Sequence, residues 1–189
     1  MKYDFVEIGT CDYHTLLEGC SLIQVGLSVE PIKTYLDRLP DKPNVTKVNA
    51  AISSENNIVD LFWVEPHNQD KYNLSFTKGW GTIIKPHRGH NEAQKMLETG
   101  MLSKHKVEAI TWTTLTERYQ IDSVDLVKID TEGHDCVVVN SILDSTIHPI
   151  QIEFETTHCP KEELVQTFSR LQLKGYTLIT EGEDVVWKL

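Results

Sequence analysis

Acidic, amide and small side chains follow several apolar, β-branched runs of this 189-residue chain. In open α/β sheets, ligands bind beside the carboxyl ends of the strands, so these side chains are the first candidates for chemistry. They follow four predicted strands and are Glu7, Gly9, Thr10, Cys11 and Asp12; Glu30 and Pro31; Asn49, Ala50 and Ala51; and Asp130, Thr131, Glu132 and Gly133.

The spacing of Glu30 from the first of these strand ends is typical of nucleotide binding. Glu30 lies 21 residues after Gly9, and an acidic residue at such a distance commonly binds the two hydroxyls of a ribose. A carboxylate suits this task because it offers two acceptors in one plane. We predict that Glu30 binds a ribose; the alternative is a solvated acid in a turn.

The loop after the first strand lacks the glycines that would let its backbone approach a pyrophosphate. The acids Glu7 and Asp12 would repel a phosphate, whereas they suit a cofactor that carries positive charge. S-adenosylmethionine has an ammonium group, a sulfonium and a ribose. The loop therefore favours this cofactor over a nicotinamide dinucleotide.

Strand-like and helix-like patterns alternate through most of the chain, and the elements that they predict must position the candidate side chains. This alternation predicts one α/β domain over residues 1–189, with a doubly wound and mainly parallel sheet. The clearest helix is predicted within "CPKEELVQTFSRLQLKG", because Pro160 stands near its start and Gly175 follows its end. The last residues, from Tyr176, read as a hairpin that adds an antiparallel strand.

Five motifs, in this order, resemble the FkbM family of S-adenosylmethionine-dependent methyltransferases. The most specific is "DLVKIDTEGHD", which is similar to the family's L-K-I-D-x-E-G-x-E/D signature. The resemblance runs from about residue 4 to residue 175, apart from most of 66–106, and its motifs are "VEIGT", "SVEP", "VNAAIS", "VDLVKIDTEGHD" and "IQIEFE". It implies the seven-stranded sheet of the class I methyltransferase (Rossmann-like) type with an antiparallel last strand.

The resemblance also implies roles for individual residues. Those it implies around the cofactor are Glu7, Gly9 and Thr10 at the methionine end, Glu30 with Pro31 at the ribose, Asn49 with Ala50 at the adenine, and Asp130 beside the transferring methyl group. Asp12 belongs to the same predicted set, but "TCDYHT" replaces the family's later glycine in this loop.

Methyl transfer to a hydroxyl benefits from a base that removes the hydroxyl proton. His134 is the first candidate, because it directly follows the turn after Asp130 at a strand end. Glu153, in the predicted strand "IQIEFE", is the second. The structural alternatives are a solvent-facing residue in a helix first turn for His134 and a strand residue paired with a lysine for Glu153.

The four cysteines form no C-x-x-C pair, so we predict free thiols and no metal site. His158 and Cys159 could bind a metal, although a structural role fits this lone pair better. The start of the chain lacks the pattern of a signal peptide, and no apolar run is long enough to span a membrane. We therefore expect a cytoplasmic protein.

Residues 66–106 fit neither helical nor strand periodicity, and their charge of +4 contrasts with −10 for the whole chain. We predict that this segment is an irregular insertion that covers the acceptor site. Trp80 could stack on a sugar-like face, and Lys85 and Arg88 would favour an anionic acceptor. The alternative is a solvated insertion on an otherwise acidic protein, whose net charge argues against nucleic acid as a partner.

The predicted function is methyl transfer from S-adenosylmethionine to an oxygen of a small molecule, sugar or lipid headgroup. A nicotinamide-dependent oxidoreductase is the second hypothesis, and the absence of G-x-G-x-x-G counts against it. A catalytically idle nucleotide- or metabolite-binding module is the third.

Overall fold

The computed structural model describes residues 1–13, 15–72, 81–83 and 96–189. Its helices and strands, numbered in chain order, are β1 (Lys2–Ile8), α1 (Leu16–Gly19), β2 (Gly26–Val29), α2 (Lys33–Arg38), β3 (Val45–Val48), β4 (Ala51–Ile52), β5 (Asn57–Trp63), α3 (Pro66–Tyr72), β6 (Gly81–Thr82), β7 (Ser103–Ile110), α4 (Trp112–Arg118), β8 (Ser123–Ile129), α5 (Asp135–Leu143), β9 (Gln151–Glu155), α6 (Lys161–Leu173), β10 (Thr177–Thr180) and β11 (Asp184–Lys188).

Seven strands form a sheet in the order β10-β11-β9-β8-β1-β2-β3. The pairs formed by β1, β2, β3, β8 and β9 are all parallel, whereas β11 runs antiparallel to both β9 and β10. The predicted α/β fold with a mainly parallel seven-stranded sheet and an antiparallel last strand is confirmed. Consecutive parallel strands place their carboxyl ends at one edge of the sheet, as the site prediction requires.

Apolar side chains of the neighbouring parallel strands form the main hydrophobic core. Val6 and Ile8 of β1 pair in register with Val127 and Ile129 of β8, and none of the four side chains is more than 2% exposed. Parallel strands are buried because crossover helices cover them, which explains these runs of β-branched residues. Helix α5 belongs to this layer, since most of its side chains are buried.

A second sheet of four strands has the order β4-β7-β5-β6. The alternation in the run "NNIVDLFWVEP" predicts a further strand at a sheet edge. This run does form a strand, β5, but β5 lies between β7 and β6 of the second sheet, and its seven residues pair antiparallel with β7. Expectation and structure differ because β5 pairs with residues 40 to 52 positions away along the chain, and local periodicity does not reveal such a pairing.

The segment 66–106 contains regular structure among its described residues. Helix α3, strand β6 and the first half of β7 fall within it, although the sequence predicts no regular elements there. Whether the segment covers an acceptor site stays a prediction. In the part of the chain that the structure describes, no helix combines the length and apolar character needed to cross a membrane.

The predicted C-terminal elements are confirmed. Helix α6 follows Pro160 directly, and Gly175, two residues after its end, has φ +92°, a value that glycine adopts readily. Beyond it, β10 and β11 form the predicted antiparallel hairpin.

Candidate functional site

A cavity opens at the carboxyl ends of β1, β2 and β8. Its walls come from the loops after these strands, from the start of β4 and from β5 and β6 of the second sheet. The lining residues are Glu7, Ile8, Gly9, Thr10, Cys11, Tyr13, Glu30, Pro31, Ile32, Ala50, Ala51, Ile52, Leu61, Gly81, Thr82, Ile83, Lys128, Asp130, Thr131, Glu132 and His134. The second sheet therefore supplies an apolar wall opposite the acidic strand ends.

The turn after β1 packs directly against the end of β8. Gly9 has φ +80°, and a Cβ added to it would lie 1.8 Å from the carbonyl oxygen of Asp130. Glycine is required here both by the backbone conformation and by this close approach. Cys11, two residues later, also has a positive φ, +53°, so the loop turns sharply beside the cavity.

Glu30 holds the loops after β1 and β2 together. Its carboxylate accepts a hydrogen bond of 2.8 Å from the backbone N–H of Cys11 and one of 2.7 Å from that of Ile32. Burial, which leaves Glu30 only 4% exposed, raises its pKa to about 7, although the two backbone hydrogen bonds oppose this change. Each oxygen keeps a second lone pair that can face the cavity.

Glu7 is held in a similar way at the end of β1. Both of its carboxylate oxygens accept from the backbone N–H of Leu16, at 3.0 and 2.9 Å, and Lys128 Nζ lies 3.9 Å away. Burial raises the pKa of Glu7 to about 7, while the hydrogen bond from Leu16 and the charge of Lys128 lower it. The two acids are therefore fixed by the protein before any ligand binds.

The turn after β8 is organised by Asp135, the first residue of α5. Its carboxylate, which is fully buried, accepts hydrogen bonds of 3.1 Å from the backbone N–H groups of Thr131 and Gly133. The turn contains two residues with positive φ, Glu132 at +54° and Gly133 at +94°. This arrangement directs Asp130 and Glu132 to the cavity, where Asp130 is exposed to solvent.

His134 follows this turn and contacts the other sheet. Its Nε2 lies 3.1 Å from Oγ of Ser53, which directly follows β4. Burial lowers the pKa of His134 to about 4, so the imidazole is neutral at physiological pH. The neutral ring has one nitrogen that can accept a hydrogen bond from a nearby hydroxyl.

Most of the predicted site residues meet at the cavity. Those that line it are Glu7, Gly9, Thr10, Glu30, Pro31, Ala50, Asp130 and His134. They come from loops after four strands, which supports the argument that parallel strand ends converge at one edge. Their roles in binding or catalysis stay predictions.

Three predicted site residues are not part of the cavity lining. Asp12 forms an ion pair of 2.8 Å with Arg38 of α2. The Asn49 side chain donates hydrogen bonds to the carbonyl oxygens of Glu30 and Pro31, so it ties two strand ends together. Glu153 lies in the middle of β9, in register with Lys128.

The predicted acceptor residues Trp80, Lys85 and Arg88 lie outside the described residues. Their proposed contacts with an acceptor stay predictions.

Sequence reasoning missed several residues that shape the site. Asp135 was identifiable in principle, because it stands in the quoted motif beside the turn whose N–H groups it binds. Ser53 and Lys128 also stand in quoted motifs, "VNAAIS" and "DLVKIDTEGHD", but the motifs do not reveal their contacts. Ser53 reaches His134 from 81 residues away, and Lys128 reaches Glu7 from the neighbouring strand.

The cavity lining is strongly acidic. Four carboxylates face it, from Glu7, Glu30, Asp130 and Glu132, while Lys128 is the only lysine or arginine among the described lining residues. Such a lining favours a ligand with positive charge and disfavours a diphosphate.

One group of side chains beside the cavity could hold a metal ion. Glu132, Glu155 and His158 each offer a ligand atom, and these atoms lie within 4.8 Å of one another. Cys159 follows His158 directly and is considered with it as a possible metal ligand. It is buried, and its Sγ lies 3.6 Å from the carbonyl oxygen of Glu155.

A mainly parallel α/β sheet with an acid-lined cavity at its carboxyl edge defines a protein that binds a small ligand at the strand ends. The chain belongs to the FkbM methyltransferase family, because the family model "Methyltransferase FkbM domain" matches residues 7–178. The resemblance noted in the sequence is confirmed.

A solved structure has a similar fold. The crystal structure of methyltransferase FkbM from Methylobacillus flagellatus KT superposes with a TM-score of 0.54 at 12% sequence identity. The similarity covers 100% of this chain and 44% of that one, so this chain spans less than half the length of its structural relative. The comparison with curated proteins finds no match.

Proposed function

We propose that this protein is an S-adenosylmethionine-dependent methyltransferase that methylates a hydroxyl oxygen of a small-molecule, sugar or lipid-headgroup acceptor. The observation that carries the proposal is the acidic lining of the cavity, to which Glu7, Glu30, Asp130 and Glu132 contribute. These acids suit the ammonium and sulfonium groups of the cofactor. The strand order, with one antiparallel strand next to the edge, supports the class I type of sheet.

The residues present fit this cofactor. Glu30 lies at the end of β2 with its carboxylate fixed by two backbone N–H groups, which leaves lone pairs for two ribose hydroxyls. Ala50 and the apolar wall formed by Ile52 and Leu61 suit a flat adenine ring. Asp130, exposed at the end of β8, suits the sulfonium end.

S-adenosylmethionine supplies a methyl group on a sulfonium sulfur that is already activated for in-line displacement. The chain mainly needs to align the acceptor with that methyl group and to exclude competing water. His134, whose ring is neutral at physiological pH, would accept the acceptor's hydroxyl proton. The methyl carbon–oxygen bond would form as the bond from that carbon to the sulfur breaks, with S-adenosylhomocysteine as the leaving group. Glu153 is the weaker candidate base, since it does not line the cavity.

The acceptor side of the site includes residues 66–106 in this proposal. Trp80 stacks on the acceptor, and Lys85 and Arg88 attract an anionic group. Trp80→Ala and a Lys85→Ala/Arg88→Ala pair should impair methyl transfer while S-adenosylhomocysteine still binds. Full activity without these two charges, at every salt concentration, would remove the anionic-acceptor part of the proposal.

Calorimetric titration tests the cofactor directly. The protein should bind S-adenosylhomocysteine and not NAD, and a methyl-transfer screen with candidate hydroxyl acceptors should give a product. Binding of NAD alone would instead support the oxidoreductase hypothesis. Binding of S-adenosylhomocysteine without transfer to any acceptor would support an idle binding module.

A further inference from the structure

We propose that Glu132, Glu155 and His158 form a binding site for one divalent transition-metal ion at the carboxyl ends of β8 and β9. Two carboxylates and an imidazole are a donor set that Mn²⁺ and Co²⁺ accept. The ligand atoms lie within 4.8 Å of one another, which is close enough for one ion to contact all three after small side-chain rotations.

The three residues reach this point from two strand ends. Glu132 belongs to the turn after β8, and Glu155 is the last residue of β9. His158 follows three residues later, and its Nε2 lies 3.7 Å from Oε2 of Glu132 and 4.0 Å from Oε1 of Glu155. Both separations exceed a hydrogen bond, so direct hydrogen bonding between these groups does not satisfy them.

The side chain of Glu155 is 20% exposed, and its oxygen towards His158 is Oε1. Oε2 of Glu155 is buried and has no hydrogen-bond partner among the described residues. A buried carboxylate oxygen without a partner is costly, and coordination to a cation would satisfy it.

The charge around this group also favours a cation. Asp130 lies close enough to interact electrostatically with both Glu132 and Glu155, and it adds a negative charge beside them. Asp184 pairs in register with Glu155 on β11 and adds a further negative charge. A divalent ion at this position would offset much of this negative charge.

The site borders the cavity, since Glu132 lines it. Metal binding itself does not depend on the proposed methyl transfer. An ion at this position would lie beside the end of β8, near Asp130. It could there bind an oxygen atom of a ligand in the cavity. This contact with a ligand rests on the proposed function.

The test is a titration of the chelator-treated full chain with Mn²⁺, followed through the electron paramagnetic resonance signal of free Mn²⁺. We expect one bound ion per chain. Glu155→Gln and His158→Gln should each raise the dissociation constant by at least about tenfold, because each removes a ligand. Glu162→Gln removes one exposed acidic charge at the start of α6 and should leave the constant unchanged within about twofold.

The same preparations separate this proposal from the proposed function. Circular dichroism and binding of S-adenosylhomocysteine report whether each variant is folded and whether its cofactor site is intact. A wild-type chain that binds neither Mn²⁺ nor Co²⁺ overturns the metal site, even if it binds S-adenosylhomocysteine. Equal Mn²⁺ affinity in the wild type and both ligand variants overturns it as well. Failure to bind S-adenosylhomocysteine, by contrast, counts against the proposed cofactor alone.

Discussion

The backbone N–H of Cys11 donates a hydrogen bond of 2.8 Å to the carboxylate of Glu30, so the loop after β1 is tied to the end of β2. The residue predicted to bind ribose thus also has a structural task. The carboxylate orients the loop that lines the cavity, and the loop in turn fixes the carboxylate. Ligand binding and local stability are therefore linked through one side chain.

Glu30→Ala should weaken binding of S-adenosylhomocysteine by about 1–3 kcal/mol, the usual loss for hydrogen bonds to a charged group. It should also lower the free energy of unfolding, because the N–H groups of Cys11 and Ile32 lose their acceptor. Calorimetry and urea unfolding measure the two effects. Unchanged affinity would refute the ribose assignment, and unchanged stability would refute the structural task.

Gly9→Ala should destabilise the protein by about 2–5 kcal/mol, because the new Cβ would collide with the carbonyl oxygen of Asp130 at a positive φ. Gly19→Ala is the matched control: no atom lies within 4 Å of its added Cβ. That variant should stay within about 0.5 kcal/mol of the wild type. Urea unfolding checks both, and equal stabilities of the two variants would contradict the predicted contact.

Asp130→Asn keeps the shape of the side chain and removes its charge. If Asp130 lies beside the sulfonium end, turnover should fall more than affinity for S-adenosylhomocysteine, which lacks the sulfonium charge. The comparison needs kcat from a methyl-transfer assay and a dissociation constant from calorimetry. A variant with wild-type turnover would exclude Asp130 from the reaction.

Glu7→Gln should change how stability depends on pH. Burial raises the pKa of Glu7 in the folded protein to about 7 from its ordinary value of 4.5. Between these values the folded state binds more protons than the unfolded state, so this group makes stability fall as the pH rises. Above pH 7 the stability that protonated Glu7 contributes is fully lost, and below pH 4.5 it is fully present.

The Glu7→Gln variant lacks this group, so its free energy of unfolding should fall less than that of the wild type from pH 4.5 to 7, by about 1–3 kcal/mol. Urea unfolding at several pH values measures the difference. Glu162→Gln, an exposed substitution, should follow the wild-type curve. Parallel curves for wild type and Glu7→Gln would show that Glu7 does not titrate in this range.

Ser53→Ala should lower turnover about two- to tenfold, because the hydrogen bond of 3.1 Å that positions the His134 ring is lost. Affinity for S-adenosylhomocysteine should not change. Ser54→Ala, at the exposed neighbouring position, is the control. If Ser53→Ala lowers stability and leaves kcat untouched, the contact serves folding and not the reaction.

The sequence by itself determined which residues stand at the strand ends. Apolar β-branched runs mark β1, β2 and β8, and their carboxyl ends must meet in a parallel sheet, so Gly9, Glu30 and Asp130 could be assigned to one edge without coordinates. The motif around Asp130 also indicated the family to which the chain belongs. These features are local in the chain, because strand formation and turn chemistry depend on neighbouring residues.

Only the tertiary structure decided which partner each side chain meets. The pairing of β5 with β7, the contact of Ser53 with His134 and the ion pair of Asp12 with Arg38 join residues far apart in the chain. The direction of a loop side chain depends on backbone angles such as the positive φ of Cys11, which residue type alone does not specify. For this reason the sequence located the edge of the site and its acidic residues, whereas the apolar wall and the group formed by Glu132, Glu155 and His158 emerged only when long-range packing brought distant segments together.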